Sequence, residues 1–175
     1  MRRITIMMAA MALLVALSAG AALATNFFGT SDPETIVGTP NADWIEGNGG
    51  GDSLYGRGAK DRVGGGRGAD LIRGDSGSDE PGFEIGPAAK GLYGGLGNDA
   101  VYGDEGNDLV EGGAGGDLLR GGPGNDLLDG IAGEATATSD RIYCGGGTDT
   151  VEASRGVGGR DQVASDCETV RRHNP

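Results

Sequence analysis

Aspartate returns every nine residues along most of this chain, and a large aliphatic residue follows it two positions later. GGLGNDAVY (94–102), GDEGNDLVE (103–111), GGAGGDLLR (112–120) and GGPGNDLLD (121–129) run without a gap. Upstream, GTPNADWIE (38–46), GNGGGDSLY (47–55), GRGAKDRVG (56–64) and GGRGADLIR (65–73) keep the same frame. GDSGSDEPG (74–82) keeps the aspartate but has Pro81 at the apolar position, and CGGGTDTVE (144–152) is regular again. Widened units end in Asp140-Arg141-Ile142-Tyr143 and in Asp161-Gln162-Val163-Ala164. With 38 glycines in 175 residues, 5% aromatics and a net charge of -12, the bulk composition is that of a disordered acidic chain. A fixed period overrides that reading, because it marks stacked structural repeats.

Counting from each first glycine, position six is Asp43, Asp52, Asp61, Asp70, Asp79, Asp99, Asp108, Asp117, Asp126, Asp140, Asp149 and Asp161. Position eight is Ile45, Leu54, Val63, Ile72, Val101, Val110, Leu119, Leu128, Ile142, Val151 and Val163, with Leu92 in a degenerate unit. All four tyrosines (Tyr55, Tyr93, Tyr102 and Tyr143) fall at position nine. The pattern resembles the glycine-rich nonapeptide of RTX proteins, G-G-x-G-x-D-x-U-x with U a large apolar residue. The resemblance spans residues 38–164. It implies an all-β fold, a parallel β-roll (a right-handed β-solenoid), with Ca2+ bound between its turns.

The chemistry of the repeat agrees with that fold. A strand at positions seven to nine points only its middle side chain inward. Six residues remain to turn the chain, and glycine supplies the positive φ angles of tight turns. Two units complete one coil, coils stack about 4.8 Å apart, and an aspartate of one unit then lies beside that of the second unit along. Stacked carboxylates repel by about 1 kcal/mol per pair in water and by more where water is excluded. A divalent cation reverses the sign. Calcium suits the site, because it takes several oxygen ligands at flexible angles and the turns expose backbone carbonyls. About a dozen buried aliphatic side chains are too few to offset the ordering of more than a hundred residues. The sequence therefore predicts a chain that folds on binding calcium.

The uninterrupted block predicts the strongest sites, Asp99 with Asp117 on one edge and Asp108 with Asp126 on the other. Asp43, Asp61 and Asp79 on one edge and Asp52 and Asp70 on the other form a second group. There Lys60, Arg57, Arg62, Arg67 and Arg73 cluster, either as a solvated face or as partial replacements for calcium's charge. Asp140, Asp149 and Asp161 complete the set of candidate ligands. Residues 83–93 read as a lengthened unit with Lys90 where the aspartate belongs, and a site there is lost or internally neutralised. Residues 134–139 and part of 153–160 read as loops bulging from the roll.

The ends are different polymers. Arg2 and Arg3, an apolar run from Ile4 to Leu17, and the small residues up to Ala22-Leu23-Ala24 have the layout of a secretory signal peptide over residues 1–24; an uncleaved anchor is the alternative. Its removal leaves 12 basic and 26 acidic residues, a net of -14. Such a surface repels nucleic acid and anionic membranes and attracts cations. Residues 25–37 read as an N-terminal cap, with Thr35-Ile36-Val37 an opening strand and Phe27 and Phe28 over the first coil. Residues 165–175 read as a C-terminal cap and tail. Cys144 and Cys167, an even pair in an exported chain, read as a disulfide stapling that cap, with two free thiols the alternative.

No catalytic constellation is visible. A single histidine, His173, supports neither a Ser-His-Asp site nor an H-E-x-x-H zinc site. The twelve-residue ligand spacing of an EF-hand is absent. The expectation is a secreted calcium-binding module, not an enzyme, with calcium as partner and any protein or matrix partner unknown. A calcium-stiffened adhesive or matrix spacer is the alternative, and a hydrolase hidden in the acidic edges the third reading. The RTX toxins and proteases carry a separate active domain that has no counterpart among these repeats.

Overall fold

The structure, a computed structural model, describes residues 25–79, 91–131, 138–154 and 161–173. Among them fifteen strands, numbered in chain order, alternate between two parallel sheets and no helix occurs. One sheet stacks β1 (Asn26–Phe28), β3 (Trp44–Glu46), β5 (Arg62–Arg67), β7 (Leu92–Leu96), β9 (Leu109–Ala114), β11 (Leu127–Asp129), β13 (Thr150–Ser154) and β15 (Thr169–His173). The other stacks β2 (Thr35–Val37), β4 (Ser53–Gly58), β6 (Leu71–Ser76), β8 (Ala100–Tyr102), β10 (Leu118–Pro123), β12 (Arg141–Gly146) and β14 (Gln162–Val163). Each strand pairs with the second one along, so two units make one coil. This is the parallel β-roll.

The core follows from the period. Position eight points between the sheets along the length of the stack: Ile45, Leu54, Val63, Ile72, Leu92, Val101, Val110, Leu119, Leu128, Ile142 and Val151 are all at most 1% exposed, while Val170 in the last strand is exposed. They pair in register within each sheet, Leu54 on Ile72 and Ile72 on Val101 in one, Leu128 on Val151 in the other. Each contributes about 1.5–3 kcal/mol by leaving water. Positions seven and nine face outward.

Register corrects one reading. Ile72 pairs with Val101 and Val63 with Leu92, offsets of 29 residues where regular units give 18. Gly74–Asp79 and Gly91–Tyr93 are therefore one repeat, and residues 80–90 are inserted between its positions six and seven. Asp79 is the acid of Leu92's repeat, so no degenerate unit of 83–93 stands between them. Lys90 and Pro81 lie outside the described residues, as do the signal segment 1–24 and most of the two expected loops.

Residues 25–37 do more than cover an end. Gly29–Val37 has the geometry of a full repeat, with Glu34 at position six and Ile36 packed on the core at position eight, while Phe27 is the position-eight residue of β1. At the other end Cys144 and Cys167 are disulfide-bonded, with Cα atoms 5.1 Å apart. β15 pairs with β13 just beyond the bridge. No helix among the described residues is long and apolar enough to cross a membrane.

Candidate metal sites along the carboxylate ladders

Each position-six aspartate sits at the bend between turn and strand, where its carboxylate meets the coil next to it. One oxygen closes that bend. Asp99 N donates to Asp117 Oδ1 at 2.9 Å and Asp108 N to Asp126 Oδ1 at 2.9 Å. The same bond joins Asp43 to Asp61, Asp61 to Asp79 and Asp52 to Asp70 at 2.7–2.8 Å. It also crosses the insertion, from Asp70 to Asp99 and from Asp79 to Asp108. Asp117 is linked to Asp140 and Asp140 to Asp161, and Asp126 to Asp149. The twelve candidates thus form two continuous ladders: 43-61-79-108-126-149 and 52-70-99-117-140-161.

The second oxygen is the chemical feature of interest. Oδ2 of Asp52, Asp61, Asp70, Asp79, Asp99, Asp117, Asp126 and Asp149 is buried and accepts no hydrogen bond. An oxygen buried without a donor costs about 1–3 kcal/mol, more when charged. Burial pushes these carboxyls up: Asp61, Asp99 and Asp126 to about 7 and Asp79 to about 8, partly offset by the backbone bond to Oδ1. Neighbouring ladder aspartates raise all four further. Asp52, Asp70, Asp117 and Asp149 are raised by the same burial.

Position-one glycine makes the room for that oxygen. A methyl group on Gly65 would lie 2.5 Å from both Asp70 Oδ2 and the Gly94 carbonyl oxygen. On Gly94 it would lie 2.6 Å from Asp99 Oδ2 and 2.4 Å from the Gly112 carbonyl. A carboxylate oxygen and a main-chain carbonyl from the next coil therefore converge on one small space, repeat after repeat. Oxygen donors without a competing proton donor are what calcium takes. Among the described residues no three His, Cys, Asp or Glu side chains cluster, so an ion there would draw mostly on carbonyls, with one or two carboxylates.

The repeat sequence itself says what the ladders belong to. The model of the RTX calcium-binding nonapeptide repeat matches residues 28–63, 55–80, 92–110, 102–136 and 133–159. The chain belongs to the RTX calcium-binding repeat family. The matches leave out residues 81–91, which coincide with most of the insertion, and begin ahead of the first aspartate repeat. No curated protein and no solved structure gives a significant match.

Two acids of this RTX chain lie outside the aspartate count. Glu34 takes the position-six place in Gly29–Val37, its backbone N–H bonded to Asp52 Oδ1 at 2.9 Å. Glu168 Oε2 accepts from Asp149 N at 2.8 Å and ends the other ladder. The sequence held a signal for Glu34: GTSDPETIV fits the frame once glutamate is allowed at position six. Two members of the basic cluster make contacts outside the ladders. Arg73 binds Asp104 on the outer face at 2.9 Å, and the Arg62 guanidinium lies 5.1 Å from the Trp44 ring centre.

Proposed function

We propose that this RTX chain is an exported calcium-binding roll whose folding is driven by calcium held between stacked turns, with no catalytic role. The observation that carries the reading is the row of buried aspartate oxygens without donors, those of Asp52, Asp61, Asp70, Asp79, Asp99 and Asp126 each facing a main-chain carbonyl across the gap a position-one glycine leaves. Calcium would supply charge neutralisation there, while the aspartates bind it and the glycines admit it. Asp61, Asp70, Asp79, Asp99, Asp117 and Asp126 are the first ligands to be assigned; Asp108 and Asp140 lie on the same two ladders. Asp43, Asp52, Asp149 and Asp161 stand nearer the ends. The signal-like residues 1–24 and the disulfide support export to an oxidising compartment. A stiff stack of coils also suits a calcium-dependent spacer, which extends this reading.

The test is far-UV circular dichroism of the exhaustively chelated chain, titrated with calcium and separately with magnesium. A coil-to-β transition with calcium, absent or far weaker with magnesium, is expected. A full β signal in chelator, unchanged by calcium, would remove calcium from the folding of the roll.

A further inference from the structure

The outward face of the seven-stranded sheet carries a column that metal binding does not explain. Position nine of β4, β6, β8, β10 and β12 is Tyr55, Arg73, Tyr102, Arg120 and Tyr143. The register pairs each with the next: Tyr55 with Arg73, Arg73 with Tyr102, Tyr102 with Arg120 and Arg120 with Tyr143. Strand spacing therefore sets the tyrosines about 9.6 Å apart, with a guanidinium between each pair. Position nine of the opposite sheet shows no such alternation, running Glu46, Gly64, Tyr93, Glu111, Asp129 and Glu152.

The column is held and is open to solvent. Asp104 grips Arg73 through two bonds, Nε to Oδ2 at 2.9 Å and Nη2 to Oδ1 at 3.0 Å. The Arg120 guanidinium lies 5.8 Å from the Tyr143 ring centre. Arg120 and Tyr143 are exposed, and Tyr55 and Tyr102 half-exposed. These side chains, with Asp104 and Asp166, line a shallow trough of about 690 Å³. Two arginines and two carboxylates line the trough, and Asp75 Oδ1 lies 3.8 Å from Arg73 Nε beside it, so the trough holds no excess of positive charge in a chain whose net charge is -12.

We propose that this face binds a neutral linear polysaccharide. The apolar C–H face of a pyranose ring packs on an aromatic ring, and the guanidinium and carboxylate groups between the tyrosines donate to and accept from hydroxyls. A rigid sheet presents them on a backbone that needs no further ordering. Without an excess of positive charge the trough does not draw in anions, and the acidic remainder of the surface repels polyanions. A pyranose unit is about as long as one strand spacing, so an extended glycan runs along the column with every second ring over a tyrosine. The site requires the roll to be folded, whatever ion holds it.

The test is affinity electrophoresis of the full chain in calcium through soluble neutral glucans and mannans, with polygalacturonate as the anionic counterpart. Circular dichroism is read on the same sample. A neutral glycan is expected to retard the chain, with affinity for its oligosaccharides rising up to about five rings, one per strand from β4 to β12. Tyr102→Ala should weaken binding about tenfold, Tyr102→Phe should keep it, and Trp44→Ala on the other sheet should leave it unchanged. If Tyr102→Ala fails to fold, Tyr143→Ala at the exposed end of the column serves instead. The proposal is overturned if the folded chain ignores every neutral glycan, binds polygalacturonate more tightly, or binds equally well without the tyrosine. A chain without β signal in calcium counts against calcium-driven folding, and the same electrophoresis in a stabilising osmolyte then decides the polysaccharide question.

Discussion

The interior and the ends of the carboxylate ladders use the same residue in opposite ways. At Asp43, near the start, Oδ2 is satisfied by its own turn: Thr39 N donates at 2.6 Å and Thr39 Oγ1 at 2.9 Å. Glu34 is closed likewise by Thr30 N at 2.6 Å. At the far end Asp161 Oδ2 accepts from Ser154 N at 2.5 Å. Interior aspartates such as Asp61, Asp99 and Asp126 have no such donor for Oδ2. An end repeat thus closes its acid with protein, and an interior repeat leaves it to a cation. The lesson is that one motif yields a cap or a binding site depending on whether a turn donor is available.

The largest effect should come from filling the space at position one. Gly103→Ala puts a methyl group 2.6 Å from both Asp108 Oδ2 and the Gly121 carbonyl in the middle of the stack. Neither neighbour can move without its coil, so we expect a loss of about 3 kcal/mol in calcium and of the local ion. Gly38→Ala meets Gly56 O at 2.6 Å and Asp43 Oδ2 at 2.9 Å, beside an acid that Thr39 already closes, so no ion is displaced with it. About 1 kcal/mol is expected there. Equal losses in thermal melts would erase the distinction between interior and end.

Amide replacement should split the two regions by sign. Asp99→Asn removes a charge that burial penalises and lets the new NH2 donate toward the carbonyl it faces. In chelator with a stabilising osmolyte, the variant roll should be more stable than the parent by about 1 kcal/mol. In calcium the order reverses, and half-folding should need about tenfold more ion. Asp43→Asn would set an NH2 against the Thr39 donors and should cost about 1–2 kcal/mol with or without calcium. Circular dichroism titrations of both variants check the pattern, and a loss for Asp99→Asn in chelator would contradict it.

Acidity should separate the regions again. Asp61, Asp79, Asp99 and Asp126 titrate higher in the roll than the ordinary 3.8, near 7 to 8. The metal-free roll therefore prefers the protonated form. That contribution is fully present below the unfolded value and is lost as pH rises through about 7 to 8. In chelator, β content should grow as pH is lowered from 9 to 5. Calcium competes with the same protons, so its affinity should rise with pH over the same window. A calcium affinity that ignores pH between 6 and 8 would detach the interior carboxylates from the ion.

Much of this was legible in the sequence, for a physical reason. The inward side chain and the bend acid are fixed by the strand's period of two, so Leu54, Leu119, Asp99 and Asp117 could be placed by counting. Counting fails where a repeat is interrupted. Eleven residues separate Asp79 from Gly91 within one repeat, so only the register of the flanking strands, not the count, gives Leu92 its acid. Glu34 was missed because the count required aspartate, although Glu34's backbone N–H and carboxylate fill the same two roles. The Tyr–Arg column was half visible. Its tyrosines share position nine, but only the alternation of sheets puts Arg73 and Arg120 between them.

The smallest effect concerns the turns. Position four of the regular block is glycine at φ between 145° and 155°, as at Gly97, Gly106, Gly115 and Gly124. In GRGAKDRVG the residue there is Ala59, at φ 70°, with Arg57 at φ 84° two residues earlier. The left-handed region costs a non-glycine residue about 1 kcal/mol. The stack imposes the turn all the same, because the bond from Asp61 N to Asp79 Oδ1 is as short, at 2.7 Å, as any in the ladders. Ala59→Gly relieves the strain but loosens the unfolded chain. The net should be a gain of a few tenths of a kcal/mol, about 0.5 at most, read as a small rise in melting temperature in calcium. A loss would mean that the alanine methyl group packs usefully against the neighbouring coil, and the N-terminal repeats would then be tuned to their sequence instead of forced into the roll by it.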